Sequence, residues 1–349
     1  MKRILAIICV VAMLMACFAG CGAGGGGETG QGTVFVYCFG DYFDPELEYE
    51  FEEATGFDVV IDYFDTNEEL YPVIKNNTAK YDVICASDYM IDKLRKEGLL
   101  SEIDFANVPN AENITDNIKS FIEEFDPGMK YSVPHTWGTY GIMYNTEMVD
   151  EAPTSWNDLW NEEYADSIVM PDSMREAYMI AGKVLGYSMN TTSETELKEM
   201  TELLIQQKPL VYSLVNDSAR ELMIGESTAL ALINSGEVIY SQDLNENLEY
   251  VVPVEGTEVW TDCWAITSTA ENKEAGEAWI NFMLEGDVAE VNFDYLTYAI
   301  PNKEISHITD EYDVLNPSEE LLSRCETLKN LGSEVDELYS KYWKEYKSK

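Results

Sequence analysis

Aromatic and acidic side chains recur together in short stretches that mostly follow strand-like runs. They are Phe39, Asp41 and Tyr42; Ser87, Asp88 and Tyr89; Trp137; Trp260, Asp262 and Trp264; and Tyr295 with Tyr298. A carboxylate beside flat π-faces suits an organic cation. The charge holds an ammonium, and a desolvated cation–π contact adds ~2 kcal/mol. Methylenes between ammonium groups need apolar walls, which aromatic rings supply. Carboxylates spaced along a groove set the distance between amines. Each cluster alone reads more readily as the edge of a core than as a ligand site. Five of them point to a shared cleft that fits a linear polyamine.

Catalysis has little to work with. His135 and His307 are the only histidines and lie far apart in sequence. No HExxH, GxSxG, P-loop or GxGxxG motif is present. A lone histidine beside Pro134 reads as a hydrogen-bonded structural residue. Acid pairs can always be assembled on paper from 65 Asp and Glu, so such pairs carry no information without geometry. The chain therefore reads as a binding protein without cofactor or metal, with an exported hydrolase as the less favoured reading.

The elements that position these residues alternate. Val34–Cys38 reads as a strand, Glu46–Thr55 as a helix and Asp58–Tyr63 as a strand. Glu68–Asn77 is a helix, Tyr81–Cys85 a buried strand, and Tyr89–Glu97 a helix stopped by Gly98. Asp44 and Pro45 suit the start of the first helix, and Gly56 its end. This order predicts an α/β fold with mixed, mostly parallel sheets flanked by helices. The loop leaving the first strand is where open sheets of this kind place ligands. The glycine- and aromatic-rich stretch 137–145 reads as a first crossing between lobes. Further strands are expected at 167–170, 229–233, 248–253 and 260–266. Further helices are expected at 174–185, 194–207, 273–284, 319–328 and 334–346. A length of 349 residues suits two lobes.

The net charge is −43, from 65 acidic and 22 basic residues. That excludes nucleic acid as a partner, since phosphate binding needs basic patches. It gives a solvated surface and a field that attracts cations. At the N-terminus, Lys2 and Arg3 precede an apolar run, 4–16, too short to span a bilayer comfortably. Small residues before Cys21 resemble a bacterial lipobox, with Cys17 as the alternative. Residues 1–20 then form a signal peptide, and 21–32 a lipidated Cys with a glycine-rich tether. Its removal takes the charge to −45. The chain is expected outside the cell, lipid-anchored to its membrane. Four of seven cysteines fall in the body: Cys38, Cys85, Cys263 and Cys325. No CxxC pair occurs, and both buried thiols and a Cys38–Cys85 disulfide fit the spacing.

The ordered combination of several stretches resembles the spermidine/putrescine-binding proteins of bacterial ABC importers. These are Tyr81-Asp82-Val83-Ile84, Asp92 to Leu99, Val133 to Gly138, Thr154 to Trp160, Arg175-Glu176, Leu185 to Ser188 with Asn190-Thr191-Thr192, and Trp260-Thr261-Asp262. The resemblance covers roughly residues 33–303. It implies a two-lobed periplasmic-binding fold of type II, with ligand between the lobes. Lobe one would be 33–136 plus 262–303, and lobe two 137–261 plus 304–349. It also implies a monomer that hands a polyamine to an ABC permease and ATPase complex.

Carried over by position, the ligand contacts would be Phe39, Asp41, Tyr42, Ser87, Tyr89, Glu176, Trp260, Asp262 and Tyr298. Trp137 joins them from its aromatic stretch, and Asp172 as the acid nearest the expected aspartate. Three positions depart from the family pattern. Phe39 replaces an indole, Ser173 stands where an aspartate is expected, and Ile233 stands where a tryptophan is expected. Another small cationic or organic solute is the alternative ligand.

Overall fold

The computed structural model describes residues 32–216 and 218–349. The expected signal peptide, the cysteine expected to carry the lipid (Cys21 or Cys17) and nearly all of the expected tether lie outside the described residues. The chain begins with β1 (Thr33–Phe39), α1 (Glu46–Thr55), β2 (Asp58–Phe64), α2 (Asn67–Asn76), β3 (Val83–Ser87) and α3 (Asp88–Lys96). β1 pairs in parallel with both β2 and β3. The alternation seen in the sequence therefore yields the parallel set β2-β1-β3, with all carboxyl ends on one edge. Asp44 Oδ1 accepts the Glu46 amide at 2.8 Å and caps α1. Gly56, at φ 76°, ends it in the left-handed conformation that glycine adopts without penalty.

Next come β4 (Leu100–Ser101), α4 (Asp116–Phe125) and β5 (Ser132–Asn145). β5 joins the two halves of the molecule. Its first half pairs antiparallel with β10 (Val259–Thr267), and its second with β8 (Leu230–Asn234) and β9 (Leu248–Val251). The second half also contains β6 (Ile168–Met170) and β7 (Val211–Leu214), parallel to one another, with β8 parallel to β6. Its helices are α5 (Met174–Leu185), α6 (Glu194–Gln207), α7 (Ser218–Ile224) and α8 (Gly236–Leu244). After β10 the chain forms α9 (Lys273–Phe282), α10 (Gly286–Leu296), α11 (Ser306–Thr309), α12 (Glu319–Leu322) and α13 (Ser333–Ser348). The crossing strands β5 and β10 run antiparallel to their neighbours, so the sheet is mixed.

One large core lies under the first half, around Phe51, Ile84, Trp264 and Trp279. A second, around Trp156, Tyr178, Leu204 and Tyr339, lies under the other, with a smaller cluster at Met143 and Val238. The fold is two-lobed. Ile305 and Leu315 pack into the first core, while Tyr339 and Tyr346 pack into the second.

The helix expected over 319–328 stops at Leu322. Beyond it the backbone is taken by another partner: the Val259 amide donates to Glu326 O at 2.9 Å, and the Glu326 amide to Thr257 O at 3.0 Å. Cys38, Cys85, Cys263 and Cys325 are free thiols, the first three buried. No helix among the described residues is long and apolar enough to cross a membrane.

Candidate functional site

A cavity of about 1070 Å³ opens where the carboxyl ends of both parallel strand sets meet. Loops after β1, β2 and β3 bring Phe39, Asp41, Tyr42, Asn67, Glu68, Ser87, Asp88 and Tyr89 to it. Segments after β6 and β8 bring Ser173, Glu176, Asn234 and Glu237. This is the topological position at which open α/β sheets bind ligands. Asp41 turns the first loop at φ 51°, a left-handed conformation that Asp tolerates better than most residues.

β10 forms the floor. Glu258, the residue just before it, alternates with Trp260 and Asp262 and all three line the cleft, while Val259, Thr261 and Cys263 are absent from its lining. Opposite Asp262 and Cys263 the pairing register of β5 slips by one residue, at Pro134-His135-Thr136. Proline has no amide to give to a ladder and is tolerated at such bulges. Bulges re-aim neighbouring side chains. His135, the extra residue, shares a 2.9 Å hydrogen bond through Nε2 with the Tyr42 carbonyl. Burial lowers its pKa to about 4, so at neutral pH it is an uncharged donor holding the Tyr42 loop.

Tyr42 in turn reaches the centre. Its hydroxyl is 2.8 Å from Thr136 Oγ1 and donates to Asp262 Oδ2. Oδ1 of Asp262 is buried without a hydrogen bond of ordinary geometry, with Ser87 opposite acting on the same carboxylate; Asp88 Oδ2, Glu258 Oε2 and Trp260 Nε1 also lack partners. The Trp260 indole lies over Gly138, where a Cβ would come within 2.6 Å of the ring. Its centroid is 5.8 Å from that of Tyr298, whose hydroxyl donates to Glu237 at 2.7 Å. Tyr89 donates to Glu68 at 3.0 Å, and Asn67 Nδ2 to Ser87 Oγ at 2.9 Å.

Electrostatically the walls are short of cations. Glu68, Asp88, Glu176, Glu237, Glu258 and Asp262 line the cleft; among the described residues Arg220 is the cation lining it and is paired with Glu237, while Arg175, outside the lining, acts on Asp88, Glu176 and Glu258. Burial raises the carboxyl pKa of Asp262 and Glu176. It raises those of Asp88 and Glu258 further, with Asp262 adding repulsion at both and Glu176 at Glu258. Desolvated anions with open lone pairs are costly unless a counter-charge arrives. Burial likewise raises the Tyr42 hydroxyl well above its usual value, so it remains a donor. No group of three or more His, Cys, Asp or Glu among the described residues is placed to hold a metal ion.

The cleft thus brings together Phe39, Asp41, Tyr42, Ser87, Tyr89, Glu176, Trp260, Asp262 and Tyr298. Two expected residues lie elsewhere. Trp137 is buried on the opposite face of β5, facing Thr261, with its amide on Ala299 O at 3.0 Å. Asp172 pairs with Lys347 on the surface. The residue at the cleft is Ser173, which hydrogen-bonds Glu176. Sequence reasoning left out Glu258, Glu237 and Tyr140, and named Asp88 in a cluster without carrying it to the ligand contacts. The signal for Glu258 was present, since it stands two residues before Trp260 on the same strand face.

This chain belongs to the bacterial extracellular solute-binding protein family, whose model matches residues 48–314. That class comprises the solute-binding components of ABC transporters and not enzymes. Among relatives, the spermidine/putrescine-binding periplasmic protein of Salmonella typhimurium is 32% identical over 323 residues, covering 90% of this chain and 92% of that protein. The putrescine/agmatine-binding protein of Pseudomonas aeruginosa is 25% identical over 364 residues, covering 98% and 99%. The solved spermidine/putrescine ABC transporter substrate-binding protein PotD of Streptococcus pneumoniae is 36% identical. It superposes with a TM-score of 0.80 over 90% of this chain and 98% of that one.

Proposed function

We propose that this chain is the lipid-anchored receptor of an ABC importer that captures linear polyamines, putrescine or spermidine, and delivers them to a membrane permease. The observation that carries the reading is the Asp262 carboxylate. It is buried, fixed on one side by Tyr42 and open on the other, beside the face of Trp260. An ammonium at that place completes both the charge and the hydrogen bonding. The remaining site residues are Phe39, Asp41, Tyr42, Ser87, Tyr89, Glu176 and Tyr298, with rings bounding the methylenes. The names of the relatives support the same ligand class.

The lobes would be 33–136 with 262–303, and 137–261 with 304–349, save that Ile305 and Leu315 pack into the first core, and would close on the ligand by bending at β5 and β10. Closure would present a new surface to the permease. Acylated Cys21, or Cys17, would hold the monomer at the outer face of the membrane.

Equilibrium dialysis against labelled putrescine and spermidine, competed with arginine and glycine betaine, tests the ligand class. Polyamine binding unaffected by the other two solutes is the expected result. Binding of another solute in its place would keep the receptor and overturn the ligand.

A further inference from the structure

The floor strand offers more than the single anchor at Asp262. Glu258, just before β10, and Asp262 within it line the same cleft, with Trp260 between them in the chain. At ~3.3 Å per residue their backbones stand ~13 Å apart. The position of Glu258 is fixed, because the backbone pairs with Glu326 and the next amide donates to Glu326 O at 2.9 Å. The residue is 2% exposed, and its Oε2 has no partner. Arg175, a cation that acts on it, donates from its two terminal nitrogens to Asn190 Oδ1 and the Lys329 carbonyl, makes no hydrogen bond to Glu258, and keeps its Nε buried without a partner. A buried carboxylate of this kind, facing a cleft, is incomplete without a cation.

We infer that Glu258 is a second ammonium-binding carboxylate, and that the Glu258–Trp260–Asp262 ladder selects a linear triamine over a short diamine. This rests on the polyamine reading above. An extended chain advances ~1.2 Å per bond, so ammonium groups four methylenes apart are ~6 Å apart, and the ends of a spermidine-like triamine ~11 Å. The longer ligand reaches from Asp262 across the indole to Glu258. The shorter one reaches a single end of the ladder.

The test is calorimetric titration of the full chain, purified in detergent, with putrescine, spermidine and 1,8-diaminooctane. The wild type should bind spermidine at least tenfold more tightly than putrescine. Glu258→Gln should remove that preference by weakening spermidine binding at least tenfold more than putrescine binding. A wild type that prefers putrescine, or an unchanged ratio in Glu258→Gln, overturns the inference and leaves polyamine capture standing. Failure to bind any of the three amines overturns polyamine capture itself. Should Glu258→Gln not fold, the wild type alone decides. 1,8-Diaminooctane, which has the span without the central amine, should bind more tightly than putrescine, and the reverse order contradicts the ladder.

Discussion

The Tyr42 hydroxyl donates to Oδ2 of Asp262, 220 positions further along the chain, while Oδ1 of the same carboxylate has no hydrogen bond of ordinary geometry. Tyr42 orients one oxygen, and under the proposed function the other takes the ligand's ammonium. Asp262→Asn keeps the shape and removes the charge. Polyamine affinity should fall tenfold or more, because truncating one side of a buried charge pair costs ~2–5 kcal/mol. Tyr42→Phe leaves the charge but frees its orientation, so a smaller loss is expected. Titration calorimetry reads both; wild-type affinity in Asp262→Asn would remove that residue from the site.

Trp260 depends on a missing side chain. A Cβ at position 138 would lie 2.6 Å from both the indole ring and Ser235 Oγ. Gly138→Ala should therefore displace the ring and destabilise the fold by ~1–3 kcal/mol, the usual range for overpacking. Polyamine binding should weaken as well. Unchanged thermal stability together with unchanged binding would mean that the indole does not need its present seat.

The cleft acids make binding depend on pH. Burial raises Asp88, Glu176, Glu258 and Asp262 above their unfolded values. In the empty protein such groups contribute stability that is fully present below the unfolded carboxylate range. It is lost as pH rises through the raised folded values. A cationic ligand favours the ionised forms, so binding should release protons and affinity should fall as pH is lowered into that window. Calorimetry in two buffers of different ionisation enthalpy measures the protons directly. Proton uptake on binding would contradict this account of the site.

The anchor is tested separately. Cys21→Ala should release the protein from membranes into the soluble fraction. Retention on the membrane, followed by release with Cys17→Ala, would move the lipid to the earlier cysteine.

Much of this was legible in the sequence where one short stretch carries its own geometry. The βαβ alternation of residues 33–97 and the pair Trp260 and Asp262 are of this kind. Errors arose where a single residue of phase decides. Trp137 sits on an alternating strand just past a bulge, and one step turns it into the core beside Thr261 rather than into the cleft. Asp172 and Ser173 flank the start of α5, and loop phasing there is not readable from spacing. Glu258 could have been read from its place two residues before Trp260, but the bridge to Glu326 that extends the strand to it is not announced by local sequence. Helix α8 starts at Gly236 and carries Val238, Ile239 and Tyr240, which are weak helix formers, so tertiary context decides its state.

The most direct measurement is thermal unfolding of the protein at fixed ionic strength, alone and with putrescine, spermidine, arginine or glycine betaine. A ligand bound only by the folded state adds ~2.7 kcal/mol at a hundredfold excess over its dissociation constant. A clear rise in Tm with a polyamine, absent with the other solutes and lost in Asp262→Asn, is the predicted result. No rise with either polyamine would contradict the central claim.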